Sequence, residues 1–233
     1  MTVERTVMVT GAAGNLGKAV AAALTSSGAR LALVGRRIDL LGKVFGDEGP
    51  HRLFLATDLL DASAVEAALA ATVARFGRVD ALCNLAGGFH MGEAVHETAD
   101  GTWHRMWDLN VRTLLNMVRV VVPHMIERGG GQIVNVGAHA AQKGLAQMGA
   151  YCASKSAVIR ITEAMAAELR EKNINVNCVL PTIIDTPENR TAMPGADPSR
   201  WVAPKDLASV IVFLASESAH AIHGASVPVA GLS

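Results

Sequence analysis

The stretch Thr10-Gly11-Ala12-Ala13-Gly14-Asn15-Leu16-Gly17 decides the fold. It follows an apolar run at residues 6–9 and leads into a helical pattern at residues 15–27, which Gly28 ends. Glycines allow a backbone to turn tightly and to approach a phosphate, and the N-terminus of a helix adds free N–H groups and a favourable dipole. A strand, a glycine-rich turn and a helix in this order predict a dinucleotide-binding turn. The alternative is a tight turn that binds nothing.

Short apolar runs alternate with longer helical patterns along the rest of the chain. Further strands are expected at residues 31–34, 53–56, 80–85, 132–136, 175–180 and 226–229. Helices are expected at residues 63–76, 105–128, 151–172 and 206–215, with a loop at residues 181–204, and Ser63 and Glu66 have the spacing of a capping box. The alternation predicts a doubly wound α/β fold of the Rossmann type, with a parallel sheet and ligands beyond the carboxyl ends of its strands. Without a linker or a repeat, residues 1–233 are expected to form a single domain.

The composition argues against several classes of protein. Lys and Arg number 21, as do Asp and Glu, so the chain offers no basic surface for nucleic acid. Cys83, Cys152 and Cys178 are odd in number and widely spaced, which argues against disulfides and suits a reducing compartment. His220 and His223 lack a third ligand, so no metal is expected. No apolar run is long enough to span a membrane and no signal segment precedes the first strand, so we expect a cytoplasmic protein with a small-molecule substrate and neither a nucleic-acid nor a membrane partner.

The end of the second strand indicates which dinucleotide is bound. It reads Val34-Gly35-Arg36-Arg37, with no acidic residue to hold a ribose 2′-hydroxyl. The planar guanidinium of Arg suits a 2′-phosphate because it donates two charge-assisted hydrogen bonds. We therefore expect NADP, with NADPH favoured over NADH; the alternative is two solvated arginines on a loop. Asp58 follows the third strand, where it could bond the adenine amino group or cap a helix.

Tyr151 and Lys155 have the spacing of neighbours on one face of a helix. A free phenol has a pKa of about 10, and an adjacent ammonium group is expected to lower that pKa by favouring the phenolate. Such a phenol can give a proton to a substrate as a hydride arrives. The same spacing occurs on many ordinary surface helices. Its place after the fifth strand, in a chain with a dinucleotide turn, favours a catalytic pair.

Taken together, these features resemble the short-chain dehydrogenase/reductase family over the whole chain. The matching residues are the turn at residues 10–17, Asn84-Leu-Ala-Gly87 after the fourth strand, Asn110, and the pair Tyr151 and Lys155. The resemblance implies that Tyr151 is the proton donor, that Lys155 holds the nicotinamide ribose and tunes Tyr151, and that Asn110 holds a water of a proton relay. It also implies a homodimer or homotetramer. Further cofactor contacts that it implies come from Leu59, Asn84, Ala86, Gly87, Pro181, Thr182, Ile184 and Thr186.

Two departures from the family pattern concern the substrate. The family places a Ser thirteen residues before the Tyr, but this chain has Ala138 there, beside His139. The glycine spacing of the turn is also unusual, and both departures resemble the dihydropteridine reductase branch of the family. So do Ala86-Gly-Gly-Phe89 and the segment from Asp185 to Trp201. The residues expected to contact the substrate are Phe89, Ala138, His139, Met193 and Trp201.

The substrate expected from this resemblance is a small planar quinonoid or imine compound, reduced by NADPH with Tyr151 as proton donor. Such an electrophile needs little polarisation, which suits a site without the Ser. One alternative is a general carbonyl reductase of the 3-oxoacyl or keto type, in which His139 or a water replaces the Ser. Another is an NADP-binding sensor or scaffold without catalysis. The retained pair Tyr151 and Lys155 argues against that last alternative.

Overall fold

A single parallel sheet of seven strands organises residues 4–233, the part of the chain that the computed structural model describes. The strands are β1 (Thr6–Thr10), β2 (Arg30–Gly35), β3 (Arg52–Ala56), β4 (Ala81–Asn84), β5 (Gly131–Val136), β6 (Ile174–Pro181) and β7 (Ser226–Val229). Their order in the sheet is β3-β2-β1-β4-β5-β6-β7, and every neighbouring pair is parallel. The doubly wound Rossmann-type fold is confirmed. Residues 1–3, which the single-domain prediction includes, lie outside the described residues.

Helices cover both faces of the sheet. They are α1 (Asn15–Ser26), α2 (Ile38–Phe45), α3 (Ala62–Phe76), α4 (Asp100–Trp107), α5 (Thr113–Glu127), α6 (Gly149–Leu169), α7 (Pro187–Ala192) and α8 (Pro204–Leu214). On one face the core contains Val121 of α5 and Val158 of α6, and on the other it contains Val20 of α1 and Ile211 of α8. Strands β1 and β6 are buried along their whole length, as expected for a sheet covered on both sides.

Several element predictions were wrong in detail, each for a local reason. The capping box at Ser63 and Glu66 is wrong, because Asp61 caps α3 by accepting from the backbone N–H groups of Ser63 and Ala64 at 2.9 and 3.2 Å. The single helix expected at residues 105–128 is α4 and α5 joined by a π-helical segment at Asp108–Arg112.

Two helices were not expected at all. Helix α2 was missed because it is one short amphipathic stretch with a single buried residue, Leu41. The loop expected at residues 181–204 contains α7, whose first turn is capped by Thr186 and begins with Pro187. No helix among residues 4–233 combines the length and the apolar character needed to cross a membrane.

Candidate active site

The glycine-rich turn fits a pyrophosphate. Gly11 has a φ of +64°, and a Cβ there would lie 2.9 Å from the backbone N of Ala86. A Cβ on Gly17 would lie 2.4 Å from the carbonyl oxygens of Gly11 and Ala12. Gly14 begins α1 without a capping side chain, and the first turn of the helix holds no acidic residue. The N–H groups of that turn are therefore available to an anion.

The ends of β1 and β4 are joined beside this turn. The hydroxyl of Thr10 accepts hydrogen bonds from the backbone N–H groups of Leu85 and Ala86 at 3.0 and 3.1 Å. Asn84 is buried and donates to the side-chain oxygen of Asn135 at 2.9 Å. The Oδ1 atom of Asn84 has no partner within the described part of the chain. Because leaving a buried acceptor unpaired costs about 1–3 kcal/mol, this atom fits a site completed by a donor from water or a ligand.

The two arginines after β2 have different surroundings. Arg37 forms a bidentate pair with Asp39, at 3.2 and 2.5 Å. The hydrogen bonds of that pair raise the pKa of Arg37 and lower the pKa of Asp39. Arg36 is exposed and takes part in none of the ion pairs found within residues 4–233. It follows Gly35, where a Cβ would lie 3.4 Å from the side chain of Leu41 of α2. Because Arg37 is paired with Asp39, Arg36 is the more available of the two guanidinium groups for an anion.

Asp58 and Leu59, which follow β3, differ in their exposure to solvent. Asp58 is exposed and accepts a hydrogen bond from the backbone N–H of Leu60 at 3.0 Å, which leaves room for a further donor. Leu59 is buried in the core, and its carbonyl accepts from the side chain of Asn116 at 2.8 Å. Of these two residues, Asp58 is therefore the one that can accept a hydrogen bond from a ligand.

Tyr151 and Lys155 lie on the first turns of α6, as the spacing predicts. Lys155 is 6% exposed, and its Nζ donates to the carbonyl of Val136 at 2.7 Å. Burial lowers the pKa of Lys155 to about 8. The expected lowering of the phenol's pKa is wrong for this state, because burial instead raises the pKa of Tyr151 to about 12. Both shifts have the same cause, since each environment disfavours the charged form.

Asn110 connects α6 to the segment after β4. It is 2% exposed and lies in the π-helical segment Asp108–Arg112, a distortion that often marks functional sites. Its Nδ2 donates to the carbonyl of Gly88 at 3.1 Å and to the hydroxyl of Ser154 at 3.0 Å, while its Oδ1 accepts from the backbone N–H of Gly88 at 2.9 Å. A Cβ on Gly87 would lie 2.8 Å from that Oδ1 and 3.2 Å from the Nζ of Lys155. Glycine at position 87 therefore leaves room for the side chains of both Asn110 and Lys155 beside this backbone.

Ser154 is a residue of this cluster that sequence reasoning missed. It is 2% exposed, and its hydroxyl donates to the carbonyl of Tyr151 at 2.8 Å while accepting from Asn110. It lies between Tyr151 and Lys155 on α6, where the Tyr-x-x-x-Lys pattern leaves the identity of the intervening residues open. Its small hydroxyl gave no separate signal in the sequence.

Ala138 places a methyl group where the family has a hydroxyl. It is 3% exposed, and it comes directly before a short 3-10 turn, His139–Gln142. His139 itself is exposed. The position thus offers a buried apolar surface and no hydrogen-bond donor from its own side chain.

The segment after β6 covers the same end of the sheet. Pro181 ends β6 and is buried, and the hydroxyl of Thr182 donates to the carbonyl of Ala230 at 2.9 Å. The carbonyl of Ile184 accepts from the side chain of Asn189 at 2.8 Å. These bonds fix the chain where the resemblance places nicotinamide contacts.

Helix α7 follows, and its Glu188 contacts Asn15 at the end of the glycine-rich turn. Asp185 and Arg190 form a bidentate pair across it, at 2.6 and 2.7 Å, and that pair lowers the pKa of Asp185. Of the two substrate residues expected farther on, Met193 is half-buried and Trp201 is buried. The backbone of Trp201 lies close to Gly231, where a Cβ would be 3.2 Å from the carbonyl carbon of Trp201.

Almost the whole chain is similar to known dehydrogenases. A family model described as short chain dehydrogenase matches residues 5–196. D-threitol dehydrogenase from Mycolicibacterium smegmatis is 36% identical over 240 residues, which cover 97% of this chain and 92% of that enzyme. Cis-4-hydroxycyclohexanecarboxylate dehydrogenase from Sinomonas cyclohexanicum is 31% identical over 238 residues, which cover 98% of this chain and 96% of that enzyme.

Solved structures show the same fold with either nicotinamide cofactor. The 3-ketoacyl-(acyl-carrier-protein) reductase from Brucella melitensis, complexed with NADH, has a TM-score of 0.89 at 30% identity, covering 99% of this chain and 98% of that one. L-sorbose reductase from Gluconobacter frateurii, complexed with NADPH and L-sorbose, has a TM-score of 0.87 at 28% identity, covering 98% of this chain and 95% of that one.

Proposed function

The chain belongs to the short chain dehydrogenase family, and from that premise we propose that it interconverts a secondary alcohol and the corresponding ketone. The observation that carries this proposal is the cluster of Tyr151, Lys155 and Asn110 beside the dinucleotide turn. The dehydrogenases and reductases to which the chain is similar act on alcohols or carbonyl groups, which favours the general carbonyl reductase over the quinonoid reductase expected from the sequence.

A nicotinamide dinucleotide would supply or accept the hydride. Its pyrophosphate would be held by the turn at Gly11, Gly14 and Gly17. Tyr151 is protonated at neutral pH because burial raises its pKa to about 12, so it can donate a proton to the developing alkoxide in the reductive direction. Lys155 lies one helical turn away with its ammonium held by the backbone, where it can orient a ribose hydroxyl. Asn110 fixes the backbone of Gly88 and the hydroxyl of Ser154 around this pair.

NADPH is the cofactor that we propose over NADH. The exposed Arg36 at the end of β2 supports this choice, since Arg37 is already paired with Asp39. The two solved structures described above hold different cofactors, NADH in one and NADPH in the other, so the preference rests on Arg36.

Reduction of a quinonoid or imine compound is the second candidate, and Ala138 is the observation that favours it. A preorganised donor at a carbonyl oxygen contributes about 2.7–4 kcal/mol to transition-state stabilisation, and the methyl of Ala138 provides none. A conjugated quinonoid electrophile spreads its charge and needs such a donor less. The two candidates therefore differ in their response to a hydroxyl at position 138.

The test compares substrates and two variants. Purified protein is assayed with NADPH and NADH against simple ketones and a quinonoid dihydropterin, and in the reverse direction against secondary alcohols. If ketone reduction is the function, wild type reduces ketones, Ala138→Ser raises that rate, and Tyr151→Phe lowers turnover by about 10²–10⁴ while still binding cofactor. Efficient quinonoid reduction with negligible ketone reduction would reverse the order of the candidates. A Tyr151→Phe variant with nearly full turnover would remove the role given to Tyr151.

Assembly and location stay predictions. A homodimer or homotetramer is supported by two large apolar side chains on different helices, Trp107 of α4 and Phe213 of α8, each 46% exposed. A cytoplasmic location is supported by Cys83, Cys152 and Cys178, which are buried free thiols and so suit a reducing compartment. Size-exclusion chromatography with light scattering tests the first prediction.

A further inference from the structure

An exposed aromatic ring stands beside the catalytic phenol. The rings of Phe89 and Tyr151 meet edge to face, with centroids 4.9 Å apart and an interplanar angle of 76°. Tyr151 is mostly buried, whereas Phe89 is 57% exposed. Most of the free surface of this aromatic pair therefore belongs to Phe89, next to the group that would exchange a proton with the substrate.

Hydrogen bonds hold the loop that carries Phe89 at three points. Gly88 forms two hydrogen bonds with the side chain of Asn110 on one side. On the other side, the backbone N–H of Gly92 donates to the carbonyl of Gln147 at 2.9 Å, four residues before the catalytic phenol. Gln147 has a φ of +61°, a conformation that a residue with a Cβ adopts rarely and that the surrounding bonds must maintain.

The third point is a side-chain network between the first two. The Nε2 atom of His90 lies 2.6 Å from the carboxylate of Glu93, and the guanidinium of Arg105 on α4 donates to its Nδ1 at 3.0 Å. Because Nδ1 accepts from Arg105, Nε2 carries the ring proton and donates to Glu93. Ordering an exposed loop costs conformational entropy, and these hydrogen bonds offset that cost. The side chain that the ordered loop exposes is the apolar ring of Phe89.

The loop that carries Phe89 and the loop before α6 expose further apolar side chains. Met91 and Val95 of the same loop are 50% and 62% exposed, and Leu145 of the loop before α6 is 40% exposed. Ala138 adds a methyl group where a hydroxyl donor is usual. An open-chain polyol has a hydroxyl on nearly every carbon and would leave several of them without a partner here, at a cost in binding. A carbon ring has one or two polar groups and a broad apolar face.

We propose that Phe89 is a specificity-determining residue that selects substrates whose reacting carbinol or ketone carbon belongs to a six-membered ring, over open-chain alcohols, polyols included. The substrate ring would pack on the exposed part of Phe89 while its reacting carbon faces Tyr151. This inference rests on the proposed function, since it assigns the substrate class of that same site. Arg105 acts through His90 as a positioning residue.

The test uses two diols with the same number of carbons. Cyclohexane-1,2-diol and hexane-3,4-diol are oxidised with NADP⁺ or NAD⁺, and kcat/KM is compared for each protein. Wild type should favour the ring diol by about tenfold or more, and Phe89→Ala should reduce that preference to about threefold or less, since burial of one or two CH₂ groups of a saturated ring accounts for roughly a four- to fifteenfold effect. Phe89→Tyr should keep the preference. Ile126→Ala, which removes an exposed apolar side chain near the end of α5, is the matched control and should also keep it.

The positioning role has its own measurement. Arg105→Met should raise KM for the ring diol several-fold with little change in kcat, and should leave both constants for the open-chain diol nearly unchanged. A merely structural role would lower the melting temperature and impair both substrates together, so thermal unfolding is measured alongside.

Three results would overturn the inference. A wild-type preference for the open-chain diol would do so, as would a Phe89→Ala variant that loses activity equally on both diols. Turnover of neither diol, together with none on the ketone panel, would overturn the proposed function as well, which separates that failure from a failure of ring selection alone.

Discussion

The side-chain amide of Asn15 donates to the carboxylate of Glu188 at 2.7 Å, which joins the first turn of α1 to the first turn of α7. The pKa of Glu188 is lowered, first by a hydrogen bond from its own backbone and then by Asn15, Thr186 and the nearby Lys18. Glu188 is therefore a carboxylate at neutral pH. It lies beside the helix N-terminus at which a pyrophosphate is expected, so the enzyme carries a negative charge next to its own anion site.

Replacing Glu188 with Gln should tighten cofactor binding. The amide keeps an acceptor for Asn15 but removes the repulsion of a diphosphate, which is modest because the group is exposed and screened by salt. We expect the Kd for both NADH and NADPH to fall by about two- to fivefold at low ionic strength, and by less as salt is added. Fluorescence titration measures both values. Glu168→Gln, an exposed change elsewhere on α6, is the control, and an unchanged Kd for Glu188→Gln would contradict the interpretation.

Arg36 and Arg37 should contribute unequally to NADPH binding. Arg36→Ala removes an exposed guanidinium that has no carboxylate partner among residues 4–233. Hydrogen bonds to charged groups contribute about 1.5–3 kcal/mol, so NADPH affinity should fall by roughly ten- to a hundredfold while NADH affinity hardly changes. Arg37→Ala should have a smaller effect, because Asp39 already occupies that guanidinium. Titration of both variants with both cofactors decides this, and a wild-type preference for NADH would refute it.

Tyr151 can be titrated directly because it is the only tyrosine in the chain. Burial raises the pKa of Tyr151 from 10.0 to about 12, so the cofactor-free protein should show no tyrosinate absorbance until the pH approaches that value. The unfolded chain in denaturant should titrate near pH 10. Difference absorbance near 295 nm in the two states measures the shift. Ionisation of the native protein at or below pH 10 would show that Lys155, and not burial, controls the phenol.

Lys155→Met should stabilise the fold while abolishing activity. Burial lowers the pKa of Lys155 from 10.5 to about 8, so the folded state binds this proton less well than the unfolded state does. The resulting cost is absent above pH 10.5, grows as the pH falls toward 8, and is complete below that pH. Allowing for the lost bond to Val136, we expect the variant to gain about 1–3 kcal/mol in free energy of unfolding at pH 7. Denaturant unfolding at pH 7 and pH 10 tests the size of the gain and its predicted decrease; a loss of stability at pH 7 would contradict it.

The strands and the placement of Tyr151 and Lys155 on one helix could be predicted from the sequence because both depend on local patterns. Apolar runs mark buried strands wherever they occur, and the spacing of Tyr151 and Lys155 is a property of one helix. The glycine-rich turn was also predictable. Gly11 and Gly17 lie where any side chain would collide with backbone, so glycines at these positions mark the turn in the sequence.

What the sequence did not predict depends on groups that are distant in the chain. The direction of the pKa shift of Tyr151 is set by burial beneath other segments, which a helical spacing does not report. The role of Ser154 needs Asn110, 44 residues away, and the engagement of Asn15 needs Glu188, 173 residues away. The pairing of Arg37 with Asp39 is close in sequence, but it depends on α2, a helix too short to be recognised from its pattern.

The π-helical segment at Asp108–Arg112 has a consequence for how this chain can change over time. A π-helical turn contains an extra residue relative to an α-helical turn, so α4 and α5 stand in different registers on either side of Asn110. Deleting one residue there would restore regular α-helical bonding and, because the wide turn takes up its extra residue within about one revolution, would displace Asn110 more than it would reorient α4 against α5. The length of this segment is therefore fixed more strictly than its composition. Among homologues that keep the activity, insertions and deletions should accumulate in surface loops and avoid these five positions, even where the individual side chains differ.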